Sequence, residues 1–253
     1  MANQLNNWFT QIELALKDSA STEKAASAQR FFPSPINCFG ASAKDIQEAV
    51  KGFFENNKKI EADQVIELSK LILSRSDINE MRLSAFALIA KFVSKHYDDS
   101  LLHTFQYWLE NYTDNWAQVD DLCLKTIYKF LMARPHLIAS TRSWAHSNSP
   151  WCRRASNVVW VKFIHRKIKK QVYQLDPSLI VENCLLLIDD KDEYVQKSIG
   201  WLLKVTAVHH PDLVESFLYE HYQRLDRATL RYAIEKMPAE KRKAILAFPK
   251  ATR

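Results

Sequence analysis

Two tryptophans, one carboxylate and several cations sit where helix packing alone does not ask for them. Asp120 follows Trp116 by one helical turn, so ring and carboxylate are neighbours on a helix surface. In an α-helical register Asp120 shares a flank with Leu124, Ile127 and Leu131, while Asp121 faces the polar side with Lys125 and Tyr128. A carboxylate on an apolar shoulder is costly unless it is paired or used. Used, it would stabilise developing positive charge or orient water. Paired, it would form a structural ion pair with an arginine, the commoner role; periodicity leaves both open. In the segment 192–209, Val195, Ile199, Leu202 and Thr206 form a core stripe. Lys197, Trp201 and Lys204 fall on the opposite side. An indole between two lysines suits stacking and phosphate contact, although a helix buried on two sides would also place a tryptophan there. Gly200 leaves space for a backbone or a ligand to approach.

The third segment runs Trp144-Ala145-His146-Ser147-Asn148-Ser149-Pro150-Trp151-Cys152-Arg153-Arg154. Its serines and Asn148 precede a helix whose first N–H groups suit an anion. Arg154 lies one turn after Trp151. Downstream, Lys162, His165, Arg166, Lys167, Lys169 and Lys170 form a basic run. That run either meets phosphate or complements a helix C-terminus.

The elements that must position these residues read as helices. Helical periodicity covers 5–17, a short helix opened by Ser21, then 42–57, 63–74, 77–96, 100–112, 116–133, 135–146, 150–170, 177–188, 192–209, 211–223, 226–237 and 238–248. Ser42 is an N-cap with Asp45 at the capping-box position. Pro135, Pro150, Pro177, Pro211 and Pro238 fall at or near helix starts, where a missing N–H matters little. The links are short, so neighbouring helices are expected to be antiparallel. Pairs of about forty residues in series match an all-α, HEAT-like solenoid with one concave face. No internal linker stands out, so 1–253 reads as a single domain.

With only 3 Gly, tight-turned sheets and glycine-rich phosphate loops are disfavoured. A formal charge of +6 suits an anionic partner, nucleic acid before a membrane surface, and equally an ordinary basic protein. Cys38, Cys123, Cys152 and Cys184 form no CxxC pair and read as reduced, mostly buried thiols of a cytoplasmic protein. Neither a signal peptide nor a membrane-length apolar run is read. Metal and cofactor are not expected, since the histidines and cysteines lack ligand spacing.

At Phe39-Gly40, at Trp116-x-x-Val119-Asp120, through Trp144-x-x-Ser147-Asn148-x-x-Trp151-x-Arg153-Arg154 and through Glu193-Tyr194-Val195-Gln196-Lys197-Ser198-Ile199-Gly200-Trp201, the chain resembles the HEAT-repeat DNA alkylation repair enzymes of the AlkD type, a group of DNA glycosylases. The resemblance implies a solenoid holding duplex DNA in a basic concave cleft and excising cationic N3- and N7-alkylated purines. It places Trp116, Asp120 and Trp201 in catalysis. It places Arg154 on a nearby DNA phosphate, or else fixing the geometry of Asp120, with Arg153, Trp151, Asn148, Lys197 and Lys204 as DNA contacts around it. Lys204 stands where an arginine is common, Phe31 where some members carry tyrosine, and Ser42 where some carry glutamine. Asn115 stands where a second tryptophan can occur. The expected partner is double-stranded DNA with alkylated bases, bound by a monomer. The rival readings are a non-catalytic DNA-binding paralogue of the same fold and a helical scaffold for protein partners.

Overall fold

The computed structural model describes residues 2–249. They are all-α apart from one small hairpin, and they group into two compact units divided between Ala133 and Arg134. The first unit contains α1 (Ala2–Asp18), α2 (Thr22–Gln29), α3 (Ala43–Asn56), α4 (Ala62–Arg75), α5 (Asn79–Ile89), α6 (Leu101–Asn111) and α7 (Trp116–Asp121). A π-helical stretch, Leu122–Ile127, then leads into α8 (Tyr128–Ala133). The predicted caps form. Ser21 Oγ accepts from the Lys24 N–H at 3.2 Å. Ser42 and Asp45 close a capping box, with the Ser42 N–H donating to Asp45 Oδ2 at 2.7 Å. The bonds from Ser42 hold the Asp45 carboxyl down at about 2, helped by Lys24 at 3.2 Å.

The second unit opens with 3-10 turns, Pro135–Leu137 and Ala139–His146, in place of the expected α-helix. It continues with α9 (Pro150–Val158), β1 (His165–Ile168), β2 (Gln171–Gln174), α10 (Pro177–Leu187), α11 (Glu193–Thr206), α12 (Pro211–Glu220), α13 (Arg227–Ala233) and α14 (Ala239–Ala247). Alternate helices stack within each unit. In the first, α1 packs on α3, α3 on α5, and α5 on α7 and the π-helical stretch; in the second, α9 packs on α11 and α11 on α13. Serial stacking of helix pairs produces this skip-one pattern, because each pair buries its apolar face against the next.

The expected helix over 150–170 is corrected. It ends at Val158, and the chain turns into an antiparallel hairpin pairing His165 with Gln174 and Ile168 with Gln171. Trp160, Ile164 and Ile168 follow one another at the i, i+4 spacing of a helix, and all three are buried. Their burial was legible, but turns and a strand present it. The tight turn uses no glycine: Lys169 takes the left-handed conformation at φ 55°. The basic run therefore sits on the hairpin and the turn before it. Arg166, Lys167, Lys169 and Lys170 are exposed. Similarly, the expected helix over 77–96 ends at Ile89 and continues as turns.

Candidate functional site

Trp116 opens α7 under the cap of Asn115, whose Oδ1 accepts from the Gln118 N–H at 3.0 Å. Its indole N–H donates to the Phe31 carbonyl at 3.3 Å, and its ring stacks on Phe32 at 5.6 Å and 25°. Trp116 is thus fastened to the loop between α2 and α3. That loop is itself held from two sides. Glu80, 3% exposed, accepts from the N–H groups of Phe39, Gly40 and Ala41 at 3.1, 2.8 and 3.0 Å. The Phe39 carbonyl accepts from the Ser21 N–H at 3.1 Å. Gly40 has φ 81°, and a Cβ there would lie 2.1 Å from the Ser21 carbonyl oxygen. Only glycine fits. The Phe39-Gly40 motif therefore serves Trp116 by holding the strip it leans on. Phe31, 68% exposed, extends the aromatic surface beside it. Periodicity could not find Phe31, Phe32 or Glu80 as members of this group, since their meeting depends on a loop.

From Gln118 to Leu131, burial repeats every fourth residue: 118–119, 122–123, 126–127 and 130–131 are buried, and the pairs between are not. An α-helix of about 3.6 residues per turn would drift away from its neighbours over that length. The wider π-helical turn holds one face against α5. This corrects the flank assigned to Asp120. Its companions are Leu124, Tyr128 and Met132, whereas Ile127 and Leu131 belong to the core face. Asp120 is half-buried on that flank.

Asp121 is corrected too. It is 17% exposed and forms an ion pair with Lys125. Burial raises its carboxyl above the ordinary value of 3.8, with Lys125 opposing. A carboxyl raised in the folded state stabilises the fold below the unfolded value, and that contribution is lost as pH rises through the folded one. Asp121→Asn should therefore gain in melting temperature relative to wild type as pH rises above about 4. Thermal melts across that range check the sign.

In the second unit the long motif of α11 divides into residues the fold needs and residues it does not. Asp192 caps the helix, accepting from the Tyr194 and Val195 N–H groups at 2.8 and 3.1 Å. Gln196 Nε2 donates to the carbonyls of Leu187, Ile188 and Asp190 at 3.2, 2.9 and 3.0 Å, closing the end of α10. Ser198 accepts from Asn157 at 2.9 Å within a buried cluster that includes Asn183. A Cβ on Gly200 would lie 2.9 Å from the Thr229 carbonyl oxygen, so the close approach is that of α13. These contacts account for Gln196, Ser198 and Gly200 of the motif. Lys197 is exposed, 2.6 Å from Glu193 and 4.5 Å from the Tyr194 ring centroid. Trp201 is half-buried and has no ring stacking or hydrogen bond among the described residues. Lys204 is held by Glu235 at 3.3 Å and over the Tyr232 ring at 4.0 Å.

The two arginines of the third segment work inside the fold. Arg153 donates to both Asp190 oxygens, at 2.6 and 3.2 Å, and to the carbonyls of Ser147 and Asn148, at 3.0 and 2.9 Å. A bidentate pair of this kind fixes the turn before α9 and leaves little of the guanidinium for a phosphate. Arg154 is 5% exposed, and its Nη1 donates to the Tyr194 carbonyl at 2.7 Å. A surface phosphate contact by either gives way to positioning. Asn148 remains exposed, and Trp151 lies half-buried, 5.5 Å from the Tyr194 ring. Tyr194, between Trp151 and Lys197, was the member of this surface not singled out; its place in the motif was the available signal. Trp116 and Asp120 belong to the first unit, and the remaining candidates to the second.

Among solved structures, the chain is similar to a predicted DNA alkylation repair enzyme from Enterococcus faecalis, at 15% identity and TM-score 0.73, covering 87% of this chain and 98% of that one. It is also similar to smu.31 from Streptococcus mutans UA159, at 20% identity and TM-score 0.57 over 85% of this chain and 97% of that one. AlkD2 from Streptococcus mutans matches at 18% identity and TM-score 0.56 over 86% and 99%. At these identities the likeness concerns the fold. No curated protein matches the sequence significantly. The model of one family, described as DNA alkylation repair enzyme, matches residues 12–237. That span includes every candidate residue above, and the chain belongs to this DNA alkylation repair family.

Proposed function

We propose that the protein is a DNA glycosylase that hydrolyses the N-glycosidic bond of cationic N3- and N7-alkylated purines in duplex DNA. Such a base is already positive, so it takes the bonding electron pair and leaves neutral, and no general acid is needed. Bond breaking develops oxocarbenium character at C1′. Asp120 stabilises that charge and orients the attacking water. Trp116 and Trp201 offer π faces to the cationic nucleotide, each contact contributing about 0.5–2 kcal/mol. Lys197, Asn148 and Trp151 bind the DNA backbone, and Arg153 and Arg154 hold those residues in place. The observation that carries this reading is Trp201. In a helix whose Gln196, Ser198 and Gly200 have folding tasks, it keeps a half-buried indole beside exposed Lys197, in a chain of this repair family.

Release of free methylpurine from N-methylated duplex DNA by the wild-type protein tests the reading. Release of N3-methyladenine and N7-methylguanine is expected. DNA binding without release would sink it in favour of the non-catalytic paralogue. Duplex affinity should also fall steeply with salt. Lys197→Ala is expected to reduce the slope of log affinity against log salt by about 1. Lys204→Ala should change it less, because the Lys204 side chain is 14% exposed against 46% for Lys197.

A further inference from the structure

A cavity of about 620 Å³ in the first unit is lined by α3, α5 and residues of the π-helical stretch and its flanks. That volume lies within the range of about 300–1,000 Å³ usual for small-ligand sites. Val50, Phe54, Leu83 and Ala87 make much of its wall apolar. Three further features are not those of a packing defect. Asp121 lines the cavity, its pair with Lys125 made through Oδ1. Asn79 uses its side-chain oxygen on Gln118 at 3.1 Å, and its amide nitrogen donates to no acceptor among the described residues. Lys91 and Lys129 line it as well and are exposed, with the Lys91 ammonium 4.0 Å from the Phe54 ring centroid.

These features narrow the guest. Cations ask for an anion. The apolar wall asks for a flat or aliphatic body, which inorganic phosphate lacks. An ionised carboxylate only accepts hydrogen bonds, so the body must carry N–H donors, which a fatty-acid anion lacks. Guanine presents adjacent N1–H and N2–H donors that match a carboxylate, whereas adenine presents an acceptor at N1 that opposes it.

We propose that this cavity binds one guanosine monophosphate unit, free or as an unpaired residue of a DNA strand, with its N–H edge on Asp121, its ring on Phe54 and its phosphate on Lys91 and Lys129. The DNA source rests on the DNA-binding reading above; the free nucleotide does not. Burial that raises the Asp121 carboxyl agrees with a site that gains from a donor-bearing guest.

Calorimetric titration of the full chain with dGMP and with dAMP tests the free source. Binding is expected to favour dGMP by about tenfold, with the preference removed in Asp121→Asn. Ala87→Trp fills the cavity and should abolish binding. Lys91→Ala with Lys129→Ala, two exposed positions that leave folding intact, should weaken it by about tenfold. For the strand source, a duplex with one bulged guanine should bind about tenfold tighter than the fully paired duplex, and the same variants should erase the difference while paired-duplex affinity stays. Response in either arm supports the site and identifies the source. Absence of dGMP binding together with equal affinity for the two duplexes overturns it, as does a preference that survives Ala87→Trp. Loss of all duplex binding by wild type would count against the DNA reading, and the dGMP arm would then decide the cavity.

Discussion

Asp120→Asn is expected to reduce methylpurine release by at least about a hundredfold while duplex affinity stays within about threefold. The substitution keeps the shape of the side chain and one acceptor oxygen. It removes the negative charge that stabilises the oxocarbenium-like sugar, in a reaction whose leaving group needs no acid. Single-turnover release from N-methylated duplex, with binding measured on the same DNA, reads both quantities. If release and binding fall together, Asp120 is a structural ion-pair partner and the catalytic assignment fails. Asp121→Asn is the internal comparison. It lies next in sequence but lines a cavity formed with α3 and α5, and its loss should leave release unchanged.

Gly40→Ala should lower the stability of the first unit by about 3 kcal/mol or more. Two effects add. A left-handed residue with a Cβ costs about 1–2 kcal/mol, and the added carbon would overlap the Ser21 carbonyl oxygen, to which it would lie at 2.1 Å. Backbone cannot yield there as a flexible side chain would. The loop must move away from α2, and the three N–H groups held by Glu80 move with it. The expected fall in melting temperature is about 6–12 °C. Methylpurine release should also fall, because Trp116 leans on Phe31 and Phe32 in the same loop. A melt unchanged within about 1 °C would show that the loop accepts a side chain, and the role given to Gly40 would be lost.

Local chemistry was legible in the sequence where it is short-range. The caps at Ser21 and Ser42, the helix starts at Pro150, Pro177 and Pro211, and the core stripe of α11 all form from residues within a few positions of one another. Reading failed where spacing admits two conformations. Trp160, Ile164 and Ile168 satisfy a helical period and are buried, yet the chain reaches them through turns and a strand. It failed again where the period itself changes: Asp120 lies with Leu124, Tyr128 and Met132 rather than with Ile127 and Leu131, and Asp121, although paired with Lys125 as its spacing suggests, is only 17% exposed. In the candidate site, Trp201 and Lys197 stood out because they break a stripe. Arg153 and Arg154 have the side chains of phosphate contacts, and only their partners, Asp190 and the Tyr194 carbonyl, reveal what they hold. Glu80 carried no signal at all, since its partners are backbone groups about forty residues away.

The π-helical stretch can be regarded as a helix carrying one residue too many. Deleting a single residue between Leu122 and Ile127 would let the segment relax to an ordinary α-helix, with no loss of hydrophobic content and little change in length. The residues before it would keep nearly the same orientation relative to α8, because five residues of an α-helix turn through about the same angle as the six of the wider turn. Trp116 would stay against Phe32, and Asp120 would keep its flank. A lineage could therefore gain or lose one codon here without altering the site, whereas the same change in an ordinary helical turn nearby would swing the carboxylate to another face.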